Sequence, residues 1–238
     1  MRAALSIQSA VPRRNAHPGA SARLKNPAAC ATFMPMKKAI AVIFSLLLAQ
    51  AALADEVKAM LGIHSSKYLF SSEITSLNRQ QKSGLDIGLG YALAINPKMM
   101  LEAQVVFNKK GAKTELPYAP GKTASGTYSN RAISLPLFFS YRFTEGASPY
   151  AALGPEFSFI LAHKLTIPEY DESFDIIDST NKFIVAFNVA LGYAFPLDQW
   201  GLFAEIRYNR GLSDLLKGPG PSVKCESVSF MLGGIYRP

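Results

Sequence analysis

The sequence predicts an all-β fold: an antiparallel, up-and-down transmembrane β-barrel of about eight strands with short periplasmic turns and long extracellular loops. Three observations point there. Residues 183–195, FIVAFNVALGYAF, set Phe183, Val185, Phe187, Val189, Leu191, Tyr193 and Phe195 against Ile184, Ala186, Asn188, Ala190, Gly192 and Ala194, so the chain alternates with a period of two. The second face is small or polar rather than charged, which suits a cramped lumen while the bulky face meets lipid. Connections between successive strands alternate long and short, and the bulky-face aromatics gather at two heights, as in a wall crossing two membrane interfaces. Taken alone, the 183–195 strand also fits a soluble sandwich or a lipocalin-like barrel.

Charge placement removes the nucleic-acid reading that a pI of 9.5 invites. Seven of the 25 Lys and Arg, and none of the 17 acids, lie in residues 1–54; the remaining 18 bases against 17 acids leave residues 55–238 at +1. No basic patch remains there to hold a phosphate backbone.

Residues 36–54, MKKAIAVIFSLLLAQAALA, have the layout of a signal peptide: two lysines, an apolar run, and Ala52 and Ala54 before Asp55. The run is short for a spanning helix. Residues 1–35, rich in Ala, Arg and Pro and lacking acids, read as an extension outside the fold, from an early assigned start or an organelle transit peptide. The barrel domain is then 55–238, exported to the outer membrane, with Cys225 as its single cysteine and no disulfide. No apolar run in it is long enough for a spanning helix, and a closed barrel is the other way to satisfy every backbone group in lipid.

Taken in order, 57–70 is the least regular strand: Ala59, Leu61 and Ile63 oppose Gly62, His64 and Ser66, and Lys67 breaks the pattern, as a bulge would. A polar loop, 71–83, leads to 84–95, where Leu85, Ile87, Leu89, Tyr91, Leu93 and Ile95 face away from Asp86, Gly88, Gly90, Ala92 and Ala94. The turn at Asn96, Pro97 and Lys98 follows from the fixed φ of proline and the turn preference of asparagine. Leu101, Ala103, Val105 and Phe107 then oppose Glu102, Gln104, Val106 and Asn108. Residues 109–131 read as a long polar loop with room for a hairpin extension.

In 132–143, Ile133, Leu135, Leu137, Phe139, Tyr141 and Phe143 oppose Ser134, Pro136, Phe138, Ser140 and Arg142; in 149–162, the Leu153, Phe157 and Phe159 face opposes Ala152, Gly154, Glu156 and Ser158. Pro136 and Pro155 each remove a ladder donor and predict bulges. After the acidic loop 163–182 and the 183–195 strand, a brief turn leads to Leu202, Ala204, Ile206 and Tyr208, opposite Phe203, Glu205, Arg207 and Asn209. Residues 212–224, with GPGP, form the last long loop, and Val228, Phe230, Leu232 and Tyr236 close the chain. Tyr141, Phe143, Tyr193, Phe195 and Tyr236 fall at the turn side, and Phe107, Phe183 and Tyr208 at the loop side, as lipid-facing aromatics.

The segments LEAQVVFNKKGAK, ISLPLFFSYRF, SPYAALGPEFSFIL, GLFAEIRYNRGLSDL and SVSFMLGGIYRP, in this order, resemble the PorT-like outer-membrane β-barrel family over residues 59–236. The resemblance implies an exported barrel placed by the barrel-assembly machinery, with some relatives serving protein secretion. Such barrels usually end on an aromatic residue, whereas here Tyr236 is followed by Arg237 and Pro238.

Glu102, Arg142, Glu156, Glu205 and Arg207 fall on inward positions, because an outward Arg at the bilayer midplane costs ~2–4 kcal/mol. Inside, they are expected to pair across strands as a filled structural network with no open pore; a proton or ion path is the competing reading. An enzymatic barrel acting on lipid or protein needs a nucleophile and base near the rim. Of the candidates, His64 faces inward and Ser65 outward, and His163 has no serine beside it in sequence. No catalytic residue, metal ligand or cofactor site is expected. The expected partners are outer-membrane lipid, the assembly machinery and a surface or secretion protein, with structural, surface-interaction or secretion-accessory work as the role. The acidic stretch EYDESFDIID, 169–178, is the candidate contact for a cation or partner protein.

Overall fold

The structure, a computed structural model, describes residues 55–70, 79–119, 122–144, 147–218 and 222–238. The signal peptide and the extension before it lie outside these residues. Ten strands follow one another: β1 Glu56–Phe70, β2 Arg79–Asn96, β3 Met99–Asn108, β4 Gly111–Ala119, β5 Lys122–Arg142, β6 Ser148–Ile167, β7 Glu172–Asp175, β8 Phe183–Leu197, β9 Trp200–Gly211 and β10 Val223–Tyr236.

Eight of them close on themselves. β1 pairs with β2, β2 with β3, β3 with β5, β5 with β6, β6 with β8, β8 with β9, β9 with β10 and β10 with β1, every pair antiparallel. The register shows how the ring shuts. Stepping from Leu93 through Leu101, Phe139, Leu153, Val189, Tyr208, Val228 and Ser65 returns to β2 at Ser83, ten residues from the start (93 to 83). With a rise of ~3.3 Å per residue and strands ~4.8 Å apart, this stagger over eight strands tilts them by about 40°.

Burial alternates as the pattern requires. On β9 it runs exposed, buried, exposed, buried from Trp200, and β1, β3, β6 and β8 keep the same beat. The exposed side of the ring carries Leu61, Ile87, Leu101, Leu153, Leu191, Ile206 and Leu232, while Ala92, Ala152, Ala190 and Asn188 are buried within. On β9 the outward residues from Trp200 through Tyr208 carry no charge and Arg210 is the first that does. Ten residues at that tilt span on the order of 25 Å, the height of an outer-membrane apolar band.

Two local expectations need correction, and a third takes its extended form. The 109–131 stretch is a hairpin: β4 pairs with β5 from Gly111 to Ala119 and with β2 at Arg79, Gln80 and Gln81, so the wall continues past the apolar band. The sequence leaves room for this hairpin without bounding its strands, because a strand past the apolar band has no lipid side to make bulky. Pro136 and Pro155 produce no register shift; the shift between β5 and β6 lies at Arg131 and Ala132, and Pro136 and Phe139 keep one register. A missing donor opens the ladder there without inserting a residue. Lys67 also keeps the alternation, with β1 in one register against β10 from Val57 to Phe70.

Inside, small residues make room for large ones. A Cβ at Gly192 would run into the Tyr150 ring, and one at Gly154 into the Leu137 carbonyl oxygen. Met60, Val106, Phe138, Tyr150, Phe203, Met231 and Ile235 fill the turn half, and Tyr68, Ile160, Ile184, Leu215 and Val223 the loop half. Gly192→Ala is therefore expected to cost ~1–3 kcal/mol, because the ring must move. Gly154→Ala should cost more, since a backbone oxygen cannot swing aside. Urea titrations in lipid vesicles, read by the folded band on unheated gels, compare the two; equal midpoints would contradict the packing.

Candidate functional site

The polar interior is the candidate site, and it is built in storeys. At the turn end Arg142 Nη2 donates to both oxygens of Glu56 at 2.8 and 2.7 Å, and Arg237 Nε donates to the same carboxylate at 2.9 Å. Arg237, the residue after Tyr236, is thus held on the barrel. Arg237 N also donates to Gln199 O at 2.8 Å, tying the chain end to the β8–β9 turn.

Above it, Lys58 Nζ lies 2.5 Å from Glu102 Oε2 and 5.6 and 5.5 Å from the ring centroids of Tyr150 and Phe203. Gln104 Nε2 donates to the other Glu102 oxygen. Tyr150 donates its hydroxyl to Glu205 at 2.9 Å, Arg207 donates Nε and Nη2 to the other Glu205 oxygen at 2.9 and 2.7 Å, and the guanidinium lies 4.7 Å from the Phe138 centroid. Lys58 and Arg207 each meet a carboxylate and a flat ring, which is how a cation survives out of water.

Towards the loops, Glu156 accepts from Lys110 at 3.2 Å, Ser158 at 3.0 Å and Asn188 at 2.9 Å; Asn209 donates to Asn188 and accepts from Lys110. His64 Nδ1 lies 2.9 Å from Asp86 and its Nε2 3.1 Å from the Lys109 carbonyl. His163 completes the stack: Nδ1 lies 2.8 Å from Thr180 Oγ1 and Nε2 3.2 Å from the Tyr68 hydroxyl. Because the Thr180 hydroxyl donates to Ile176 O at 2.7 Å, it accepts from His163 Nδ1, and Tyr68 then donates to Nε2 while accepting from Asn130.

All five charged residues singled out from the sequence lie in the interior, but only Glu205 and Arg207 bond to each other. Glu102, Glu156 and Arg142 use Lys58, Lys110 and Glu56, which sequence reasoning missed. Parity alone finds them: 56 and 58 share the inward beat of 60 and 62, and 110 that of 108. Of the aromatics, Phe107, Phe143, Phe183, Tyr193, Phe195 and Tyr236 are exposed, and Tyr141 and Tyr208 are half-buried on the same outer side. Tyr141 meets Phe143 edge-on at 5.5 Å, Tyr193 lies 4.5 Å from Phe195, and Trp200, which the sequence reading did not place among them, lies 4.8 Å from Tyr236. Phe159 and Phe183 make a loop-side pair at 5.3 Å.

Neither histidine is hydrogen-bonded to a serine or cysteine. Ser65 donates outward to Gln81 at 2.6 Å, away from the His64 contacts, and Thr180 is fully buried with its proton committed. The loops knit over the mouth: Asn181 N donates to Leu215 O, Lys217 N to Ser179 O, and Leu215 is 2% exposed. Of the acidic stretch, Glu169 accepts from Ser125 N, Asp175 caps Ile177 N, and β7 is exposed throughout. Among the described residues no group of three His, Cys, Asp or Glu is placed to hold a metal.

The model of a family described as outer membrane protein beta-barrel domain matches residues 49–217. No curated protein matches the chain significantly. Similar solved structures include the attachment invasion locus protein Ail of Yersinia pestis, at 16% identity and TM-score 0.41, covering 78% of this chain and 99% of that one. Neisserial surface protein A follows at 14% identity and TM-score 0.45, covering 76% and 97%, and a major outer membrane protein from Thermus thermophilus at 14% and 0.43, covering 76% and 99%.

Breaking one buried pair should hurt more than removing both of its members. Lys58→Met leaves Glu102 buried beside Gln104 and is expected to cost ~3–5 kcal/mol, whereas Lys58→Met with Glu102→Leu should recover most of that. A double-mutant cycle by urea unfolding in vesicles checks it; additive losses would mean that the pair is not coupled.

Proposed function

The chain belongs to the outer membrane protein beta-barrel domain family, and on that premise we propose that it is a closed, non-conducting and non-enzymatic barrel. Its work is done by the loop end or the outer wall, as a surface-interaction, secretion-accessory or structural component of the envelope. The observation that carries this reading is the filled lumen. Voids beside Glu156 and beside Arg142 measure about 20 and 10 Å³, room for a water at most. Ion pairs fill the interior where a channel would need water, and Leu215 with Tyr68 covers the loop side.

Export by residues 36–54 and kinship with the PorT-like branch belong to the same proposal, the latter resting on the ordered segments from LEAQVVFNKKGAK to SVSFMLGGIYRP. The non-enzymatic part rests on the committed hydroxyl and imidazole groups at Thr180 and His163. The loop end offers the exposed β7 and the β4–β5 hairpin as contact surfaces.

In planar bilayers the purified, heat-modifiable protein should give no stable single-channel steps; steps of reproducible size would overturn the closed reading. Cysteines at Gln80, Asp171 and Lys217, crosslinked on intact cells, should give a discrete product from at least one position. No product from any of them, with the barrel folded, would remove the surface partner and leave the structural role.

A further inference from the structure

The outer wall is not uniformly smooth. Across β9, β10, β1 and β2 a groove of about 670 Å³ opens on the outside, walled by Ile63, Leu85, Ile206, Val228 and Phe230. Its floor is the cross-strand pair Ser65 and Ser83, two small residues facing outward where β10 and β9 present Val228, Phe230 and Ile206, with Gln81 accepting the Ser65 hydroxyl at 2.6 Å.

Directly above the hollow stand charges. Lys67 follows Ser65 by two residues on β1, Arg210 follows Tyr208 on β9, and Glu226 precedes Val228 on β10, all on the outward side. Glu226 lies 3.2 Å from Lys67 and 3.9 Å from Arg210, with Lys224 the next outward residue on β10. Lys67 and Arg210 share this one acid and Lys224 follows it along the same side, so the patch keeps an excess of positive charge. Asp214 in the adjoining loop accepts the Ser222 hydroxyl.

We propose that this face holds one acyl lipid with a phosphorylated head group, its chain in the Ser65–Ser83 groove and its phosphate at Lys67, Arg210 and Lys224. The assignment rests on the membrane placement of the wall. Charge complementarity selects the occupant: a neutral acyl chain would fill the groove but leave Lys67, Arg210 and Lys224 with Glu226 as their one outward acid, and a soluble anion would leave the apolar walls bare. A second outer hollow of about 560 Å³, walled by Leu93, Leu101, Leu137, Leu153 and Phe187 and floored by Ala103, has no outward charge beside it. It serves as the internal comparison, since it can accept a chain but cannot choose a head group.

Native mass spectrometry of the protein released from phosphatidylethanolamine nanodiscs, doped with bis-phosphorylated lipid A as the probe, tests the proposal. The wild-type barrel should retain the phosphorylated lipid in preference to phosphatidylethanolamine. Lys67→Gln, Arg210→Gln and Lys224→Gln together should lower that retention by between about tenfold and a hundredfold. Glu226→Gln should raise it, Ser65→Leu with Ser83→Leu should abolish it, and Ala103→Leu should leave it unchanged. Equal retention of both lipids by wild type, or unaltered retention in the triple variant, overturns the site. Should the triple variant fail to fold, the Glu226→Gln result decides, because no rise there overturns it as well. Loss of heat-modifiable gel mobility by the wild type in these nanodiscs would instead overturn the membrane placement on which the proposal stands.

Discussion

A backbone amide that faces acyl chains has no water to bond, and every structural choice in this chain answers to that fact. A sheet satisfies the requirement only when its two edges meet, which here means β1 lying against β10 from Val57 to Phe70. Closure with a stagger of ten residues fixes the tilt, and eight strands at that tilt fix a lumen that side chains can fill. Once the ring is shut, period two assigns every residue to lipid or to the interior. The long runs of Leu, Ile, Val and Phe on the outside and of Ala, Gly, Ser and Asn within are consequences of that single geometry.

The narrow lumen then sets its own terms. Too small for bulk water, it cannot solvate an ion, so each charge that enters must bring a partner. Glu56 has two arginines, Glu102 has Lys58 and Gln104, and Glu156 is surrounded by Lys110, Ser158 and Asn188. Glycines on the same face are the counterpart of this crowding. Gly192 leaves the space that the Tyr150 ring fills, and Tyr150 can then donate to Glu205, so an absent side chain on one strand positions a hydrogen bond on another.

At the loop end the constraint relaxes, and the chain is free to depart from the lipid pattern. The β4–β5 hairpin rises with Lys113, Glu115 and Ser125 outward and small Ala112 and Ala124 within, and the segments around Thr180 and Leu215 fold inward over the mouth, held by backbone bonds and by the His163–Thr180 hydrogen bond. The same freedom explains the outward Lys67, Arg210 and Glu226, which stand where hydrocarbon gives way to head groups.

The barrel class, the eight strands of its ring and the inward face of each were legible in the sequence, because a wall between lipid and a narrow lumen shows period two along each of them. Residues 183–195 alone display it. Lys58, Glu56 and Lys110 were legible only in part: their parity was visible, but strand ends and loops carry no periodic signal strong enough to extend it. The β4–β5 hairpin was legible only as room for one, for the same reason. Which charge meets which, that Arg237 grips Glu56 across the whole length of the chain, and that two serines on different strands share one hollow are matters of register and stagger. The side of the wall that each residue faces is written in the order of the amino acids, since it follows from alternation along one strand. Its neighbours come into being only when the ring closes, because they are set by how far each strand slides past the next, and a single strand holds no record of that.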